Sequence, residues 1–213
     1  MNIEIKKPID RSIWLRAMNM SEEADDILKG RMEEAEKMLL LSARPKAIYR
    51  IMEKKDIKTS GNSVIKHLEG CEKVAVMGAT LGSGVDELIR KTQIKDMAMA
   101  VIMDCGASVL IEYVCDEFSK YIDDNVDGYT TSRFSPGYGD FPIECQKDVV
   151  RYIDGQRKIG LNVTSNSLMI PRKSVTALIG ISDRPVKGKL ATCSECVLKE
   201  KCAIRKEGKF CGD

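Results

Sequence analysis

The feature that most constrains the fold is a helical pattern from Ile94 to about Ile122, the longest in the chain. It is rich in Ala and Met, which favour helices and suit close packing against neighbouring elements. Gly106, in the middle of the pattern, indicates a point where another element approaches the helix backbone closely. We therefore predict that this segment is the central helix of the fold.

Four segments are predicted to be strands. Residues 46–52 alternate between polar and apolar side chains, and 74–80 form a short apolar run typical of a buried strand. Residues 159–163 and 174–182 show similar patterns. Together with the long helix, they predict an α+β fold in which an antiparallel or mixed sheet packs against long helices.

The remaining helices and one domain boundary follow from capping and breaking signals. A helix begins near Asp10, and after a break Ser21 is expected to cap a second one, which ends at Arg44-Pro45. Shorter helices are predicted at 85–91 and 143–153. The composition turns polar and Cys-rich after Arg184-Pro185, which predicts a main domain of residues 1–184 and a Cys-rich tail of residues 185–213.

Composition excludes several classes of protein. The 34 Lys and Arg nearly balance the 32 Asp and Glu, so the chain lacks the one-sided charge of a dedicated nucleic-acid binder. The longest uninterrupted apolar run, Met97–Met103, is far shorter than the roughly 20 residues that span a bilayer. The first residues, MNIEIKKPID, lack the apolar core of a secretory signal. We predict a cytoplasmic protein whose partners include neither nucleic acid nor a membrane.

Histidine usage limits the chemistry further. His67 is the one histidine in the chain, which excludes zinc sites built from two or three histidines. It lies in the short amphipathic stretch SVIKHLEG, with no carboxylate or cysteine motif beside it. We therefore predict a structural or surface role for His67.

The eight cysteines fall into two groups. Without a signal peptide they are better interpreted as thiols or metal ligands than as a disulfide framework. Four are scattered through regular sequence and are predicted to be small buried apolar residues. The other four form a C-x2-C-x5-C-x8-C pattern, which favours a tetrathiolate metal site, iron–sulfur or zinc, over spare thiols or redox disulfides. These candidate metal ligands are Cys193, Cys196, Cys202 and Cys211.

Two glycine-containing segments are candidates for ligand binding. In VAVMGATLGSGVDELIRK the glycines follow a G-x-x-x-G-x-G pattern, which differs from the dinucleotide fingerprint and favours a sharp strand-to-helix turn. The loop TTSRFSPGYGDFP, residues 130–142, combines a fixed cationic fork at Arg133 with Gly137 and the ring of Tyr138. Such a loop suits a ligand that carries an amino acid, and an ordered structural turn is the alternative.

The segment Arg133-Phe-Ser-Pro-Gly-Tyr138 resembles the R-x-x-P-G-Y signature of the activation domain of cobalamin-dependent methionine synthase. The similarity continues in order through ASVLIEYVCDE upstream and IGLNVTSNSLMIPRKSVTALIGIS downstream, and covers about residues 10–182. The segments ARPKAIYRI and GCEKVAVMGATLG resemble the short stand-alone form of this family.

This resemblance implies a site for S-adenosylmethionine. It implies that Arg133 holds the cofactor's carboxylate, that Gly137 and Tyr138 lie against it, and that Glu112 lies near its positive end. At Ile179 and Gly180 the family has an aromatic pair, so only backbone contacts are expected there. The full set of expected cofactor-binding residues is Glu112, Arg133, Ser135, Gly137, Tyr138, Ile179 and Gly180.

The resemblance also implies a partner. The chain has no recognisable cobalamin-binding motif, so the corrin is expected on cobalamin-binding methionine synthase or another corrinoid protein. An iron–sulfur cluster in the tail is slightly favoured over zinc because it could supply an electron, and flavodoxin or ferredoxin is a candidate donor. No side chain needs to act as an acid or base, and whether the chain is itself an enzyme stays open. The alternatives are a non-catalytic corrinoid-protein chaperone or S-adenosylmethionine-binding module with a zinc tail, and an iron–sulfur activator of other corrinoid methyltransferases.

Overall fold

A four-stranded antiparallel sheet forms the middle layer of the protein. The computed structural model describes residues 1–20 and 24–186. The strands lie in the order β1-β2-β6-β3, where β1 is Lys46–Glu53, β2 is Lys73–Thr80, β6 is Ser174–Ser182 and β3 is Tyr129–Thr130. Every neighbouring pair is antiparallel. The predicted α+β class is confirmed, and the sheet is antiparallel, not mixed.

Helices of seven to 29 residues cover one face of this sheet. They are α1 (Arg11–Ala17), α2 (Asp26–Ser42), α4 (Ser83–Lys95) and α5 (Met97–Asn125). The main apolar core lies between these helices and one face of β2 and β6, including Ala75, Met77, Ala177 and Ile179. Side chains alternate between the two faces of a strand, so the intervening residues of β2 and β6 serve a second core.

The second core lies on the opposite face of the sheet. There Val74, Val76 and Leu178 pack with α3 (Asn62–His67), α6 (Gln146–Tyr152) and the rings of Phe134 and Phe141. A short helix, α7 (Gly155–Ile159), follows α6, and two 3-10 helices span Lys54–Asp56 and Ile143–Cys145. The 131–142 loop is therefore fixed by two buried aromatic rings on this face.

The predicted central helix is confirmed as α5. Gly106 faces the indole of Trp14, and a Cβ added at Gly106 would overlap that ring. Trp14 is fully buried, and its Nε1 donates to the carbonyl of Ile102 at 2.8 Å. By length and composition α5 could cross a membrane, but 56% of its most apolar stretch is buried within the protein, where it packs in the main core.

One strand was predicted in the wrong place. Residues 159–163 do not join the main sheet: α7 ends at Ile159, Gly160 has a φ of 72°, and only Asn162–Val163 is extended, as β4. It pairs with β5 (Met169–Ile170) in a separate two-stranded sheet. Ile159 and Leu161 are buried, but they pack against Val150 instead of lining a strand. The fourth strand of the main sheet is β3, whose two residues give no pattern that periodicity can detect.

The structure also places several helix ends at residues other than those predicted. The cap of α2 is Asp25, whose side chain accepts from the N–H of Leu28 at 2.7 Å, and the predicted cap, Ser21, lies outside the described residues. Asp96 caps α5 by accepting from the N–H of Met99 at 2.9 Å, which assigns Ile94 to α4 instead. An Asp favours the N-cap position because its carboxylate accepts hydrogen bonds from the free backbone N–H groups of the first helical turn.

The contact between Gly106 and Trp14 leads to a stability prediction. Gly106→Ala places a methyl group in the indole, so we expect the free energy of unfolding to fall by about 1–3 kcal/mol. Gly30→Ala is the control, because nothing lies within 4 Å of an added Cβ in the middle of α2. That change should leave stability equal or raise it by up to about 1 kcal/mol. Urea unfolding followed by Trp14 fluorescence measures both; equal effects would contradict the packing.

Candidate functional site

Arg133 joins the loop to the central helix. Its Nη2 lies 3.1 Å from Oε2 of Glu112, and its Nη1 lies 2.8 Å from Oδ1 of Asp116 and 3.2 Å from the hydroxyl of Ser119. The neighbouring Phe134 forms a bridge with Leu178 and is buried in the second core. Since successive side chains of extended backbone point to opposite sides, Arg133 reaches α5 while Phe134 anchors the loop.

The ion cluster around Arg133 is half-buried and carries excess negative charge. The Arg133 side chain is 21% exposed, and the carboxylates of Glu112 and Asp116 are 56% and 60% exposed. One guanidinium faces two carboxylates, so the cluster is formally charged −1. Desolvation raises the pKa of Glu112 above its ordinary value, although the Arg133 charge acts in the opposite direction. The cluster can therefore attract a cation and hold an anion at adjacent points.

A buried thiol lies beneath this cluster. Cys115 is fully buried on α5, and burial raises the pKa of its thiol to about 12. The thiol is therefore neutral and unreactive at physiological pH. Cys71 is also buried, as predicted, whereas Cys105 and Cys145 are only partly buried, so the prediction of burial is wrong for those two.

The tip of the loop presents Gly137 and Tyr138 to solvent. Gly137 has a φ of 94°, and its N–H donates to the carbonyl of Phe141 at 2.8 Å. The N–H of Tyr138 donates to the carbonyl of Ser135 at 3.1 Å, and the Tyr138 residue is 54% exposed. Ser135 is partly buried. The tip is thus a tight turn with its aromatic ring at the surface.

Ile179 and Gly180 lie on β6, which pairs with the loop on either side of Arg133, at Thr131 and Phe134. Ile179 is 1% exposed and belongs to the main core, opposite Ala75 of β2. The N–H of Gly180 donates to Oγ1 of Thr131 at 2.8 Å, and its carbonyl accepts from the N–H of Thr131 at 2.9 Å. The fold therefore brings Glu112 and Arg133 together, while the backbone of Gly180 already pairs with the start of the loop.

His67 is buried, and its predicted structural role is consistent with its contacts. Its Nε2 lies 2.9 Å from the carbonyl of Ser132 and 2.9 Å from Oγ1 of Thr131, and its ring packs on Phe134 at 4.7 Å. The histidine therefore connects the end of α3 to the start of the 131–142 loop.

The glycine-rich turn after β2 is explained by packing. Gly82 has a φ of 85°, and a Cβ on Gly84 would lie 2.7 Å from the carbonyl oxygen of Ser42. A cleft of about 700 Å³ opens beside this turn, lined by residues such as Arg44, Lys46 and Glu87, and Arg133 does not line it. The turn and the Arg133 cluster are separate features.

The candidate metal ligands Cys193, Cys196, Cys202 and Cys211 lie outside the described residues. Within residues 1–20 and 24–186, no group of three or more His, Cys, Asp or Glu side chains is arranged to hold a metal ion. The tail remains a prediction from its cysteine spacing.

Two partners of Arg133, Asp116 and Ser119, were not predicted from the sequence. Asp116 follows Glu112 on α5 by four residues, and Ser119 follows Asp116 by three, so all three face the same side of the helix. That spacing is visible in the sequence, but it identifies a site only once the arginine from the loop is known to reach this face.

Comparison with known proteins identifies the fold. No family model matches the chain, and no curated protein matches it by sequence. A solved structure described as the MetH reactivation domain bound to AdoHcy matches with a TM-score of 0.59 and 14% identity. The match covers 94% of this chain and 82% of that one. The chain therefore shares the fold of that domain.

Proposed function

We propose that the protein binds S-adenosylmethionine at the Arg133 cluster and presents its methyl group to a corrinoid carried by a partner protein. The observation that carries this proposal is the contact between Arg133 of the loop and Glu112 of α5, with Nη2 and Oε2 3.1 Å apart. The contact lies in a fold that this chain shares with the MetH reactivation domain bound to AdoHcy. AdoHcy is the product that is left when S-adenosylmethionine loses its methyl group.

The charges of the cluster suit the amino-acid end of this ligand. A carboxylate can pair with the planar fork of Arg133, and the ligand's ammonium or sulfonium can pair with Glu112. The ligand then replaces one internal ion pair with two, while Asp116 keeps its contact with Nη1. This exchange leaves no charge of the cluster without a partner, whereas a ligand that carried only a carboxylate would leave Glu112 unpaired.

The contribution of the protein is positional. Arg133, Gly137 and Tyr138 would fix the ligand so that its methyl group points outward from the loop, and no side chain needs to donate or accept a proton. In the transfer, the sulfur–methyl bond breaks, the methyl binds to the cobalt(I) of the partner's corrinoid, and S-adenosylhomocysteine is released. We propose cobalamin-dependent methionine synthase, or another corrinoid methyltransferase, as the partner.

The reaction needs cobalt(I), so an inactive cobalt(II) corrinoid must first gain one electron. A cluster of four thiolates in the tail fits iron–sulfur chemistry, and a ferredoxin or flavodoxin is a candidate electron donor. Zinc on the same thiolates would make the tail structural. We propose that all of these components act in the cytoplasm.

Isothermal titration calorimetry of the full chain with S-adenosylmethionine tests the proposal directly. We expect saturable binding near one equivalent, and binding of S-adenosylhomocysteine at the same site, since the neighbour of this fold is bound to AdoHcy. Methyl transfer to a reduced corrinoid protein, followed by its visible spectrum, tests the second step. Absence of binding by both ligands would contradict the proposal.

Glu112 makes the proposal sensitive to pH. Because desolvation raises its pKa, Glu112 takes up a proton at a higher pH than an ordinary glutamate and loses its attraction for the ligand's cation. We expect affinity for S-adenosylmethionine to fall as the pH is lowered below neutral, and to do so at a higher pH than an ordinary glutamate would cause. Glu112→Gln should weaken binding about 5- to 30-fold at neutral pH and flatten this dependence. An unchanged pH profile in the variant would contradict the role of Glu112.

A further inference from the structure

Asp140 holds the tip of the loop on α3. Its Oδ2 accepts from the N–H of Asn62 at 2.7 Å, and its Oδ1 accepts from the N–H of Ser63 at 2.8 Å. These N–H groups belong to the first turn of α3, where no intrahelical partner exists. Gly61, at the cap position, has no side chain to accept them. The acceptor is therefore supplied by a residue more than seventy positions further along the chain.

The backbone around this contact leaves little freedom. A Cβ added at Gly61 would collide with the carbonyl oxygen of Asp140. Gly61 also has a φ of 105°, a conformation in which any residue other than glycine would be strained. The N–H groups of Asn62 and Ser63 stabilise the ionised carboxylate and lower the pKa of Asp140. The contact is thus ionic and hydrogen-bonded throughout the physiological pH range.

The turn connects Asp140 to Gly137 and Tyr138, which are expected to contact the ligand. Asp140 lies within the turn, which two backbone hydrogen bonds close. The N–H of Gly137 donates to the carbonyl of Phe141 at 2.8 Å, and the N–H of Phe141 donates to the carbonyl of Tyr138 at 2.9 Å. At the other end of α3, His67 binds the carbonyl of Ser132 at 2.9 Å, one residue before Arg133. One short helix therefore holds both ends of the segment that carries Arg133, Gly137 and Tyr138.

We infer that Asp140 is a positioning residue for the proposed ligand site: it fixes Gly137 and Tyr138 by capping α3. This inference rests on the proposed function. Asp140 itself need not touch the ligand, because it acts through the backbone of the turn. Small displacements of positioned groups reduce ligand recognition steeply, even when the fold survives.

The test compares Asp140→Ala with a matched cap elsewhere. Asp10 also accepts from two backbone N–H groups, those of Ser12 at 2.9 Å and Ile13 at 3.0 Å, at the start of α1. Asp140→Ala and Asp10→Ala each remove a two-bond helix cap, and melting curves establish that both variants are folded at the assay temperature. We expect Asp140→Ala to weaken S-adenosylmethionine binding about 10-fold and Asp10→Ala to change it by less than about 2-fold.

A conservative variant gives a second expectation. The amide of Asp140→Asn can still accept one of the two hydrogen bonds, so its affinity should lie between those of the wild type and Asp140→Ala. Wild-type affinity in a folded Asp140→Ala would overturn the inference, and so would an equal loss in Asp10→Ala.

Amide hydrogen exchange separates this inference from the proposed function. The amides of Gly137 and Tyr138 are hydrogen-bonded within the turn and should be protected in the wild type. We expect their exchange to accelerate in Asp140→Asn and to stay unchanged in Asp10→Ala. Should the wild type fail to bind S-adenosylmethionine, the proposed function falls, and the exchange rates still decide whether Asp140 positions the turn. Unchanged exchange in Asp140→Asn would overturn the inference.

Discussion

Arg133→Ala should weaken the binding of S-adenosylmethionine by about 2–4 kcal/mol, roughly 30- to 1000-fold. The guanidinium offers two parallel charge-assisted hydrogen bonds to a carboxylate, and alanine offers none. The loss should exceed that of Glu112→Gln, because removal of Arg133 also leaves Glu112 and Asp116 facing each other without a cation. Calorimetric titration of both proteins measures the difference.

Two further variants separate recognition from stability. Arg133→Lys keeps the charge but lacks the planar fork, so it should restore only part of the affinity. Arg31→Ala is the matched control, because Arg31 also joins two elements through an ion pair, with Asp96, and its side chain is 32% exposed. Arg31→Ala should lower the melting temperature without changing the affinity. Equal affinities in well-folded wild type and Arg133→Ala would remove Arg133 from the site.

The elements of the main sheet that could be predicted are those whose patterns are local. The strands β1, β2 and β6 each have eight or nine residues, long enough for alternation or a buried run to show in the sequence. β3 has two residues and exists because it pairs with the end of β6 at Ser182 and Ile181. A strand defined by its partner leaves no periodic signal of its own.

The wrong strand at 159–163 has a related cause. Ile159, Leu161 and Val163 alternate as a strand would, but Gly160 adopts a left-handed conformation that ends α7. Alternation over five residues cannot distinguish a strand from a helix end followed by a buried turn. Gly160 is the C-cap of α7, a left-handed position that glycine adopts at low cost.

In the candidate site, too, residues that belong to a local sequence pattern can be predicted, and residues that act through distant contacts cannot. Arg133, Gly137 and Tyr138 can be proposed from the sequence because they form one contiguous signature, and Glu112 because the resemblance extends to its helix. Asp140 lies in the same loop, but its function depends on the first turn of α3, 77 and 78 residues away in the chain. Contacts of that kind follow from the fold and not from a local pattern.

The cysteine tail gives the second large effect that we predict. Changing both Cys193 and Cys196 to Ser should abolish metal binding, because a serine hydroxyl is a poor substitute for a thiolate ligand and two of four ligands would be lost. Changing Cys105 and Cys145 to Ser is the control: both are free cysteines of the described region, and neither belongs to the pattern.

We expect the double variant of the tail to bind S-adenosylmethionine with wild-type affinity, since Arg133 and its partners all lie before residue 184. Metal analysis and visible absorption of anaerobically prepared protein distinguish the two metals: thiolate-bound iron–sulfur clusters are coloured, and zinc is not. Intact mass distinguishes metal ligands from disulfides, since two disulfides would lower the mass of the metal-free chain by four hydrogens. Less than about half an equivalent of metal in the wild type would contradict the tetrathiolate site and make the tail a set of free or redox-active thiols.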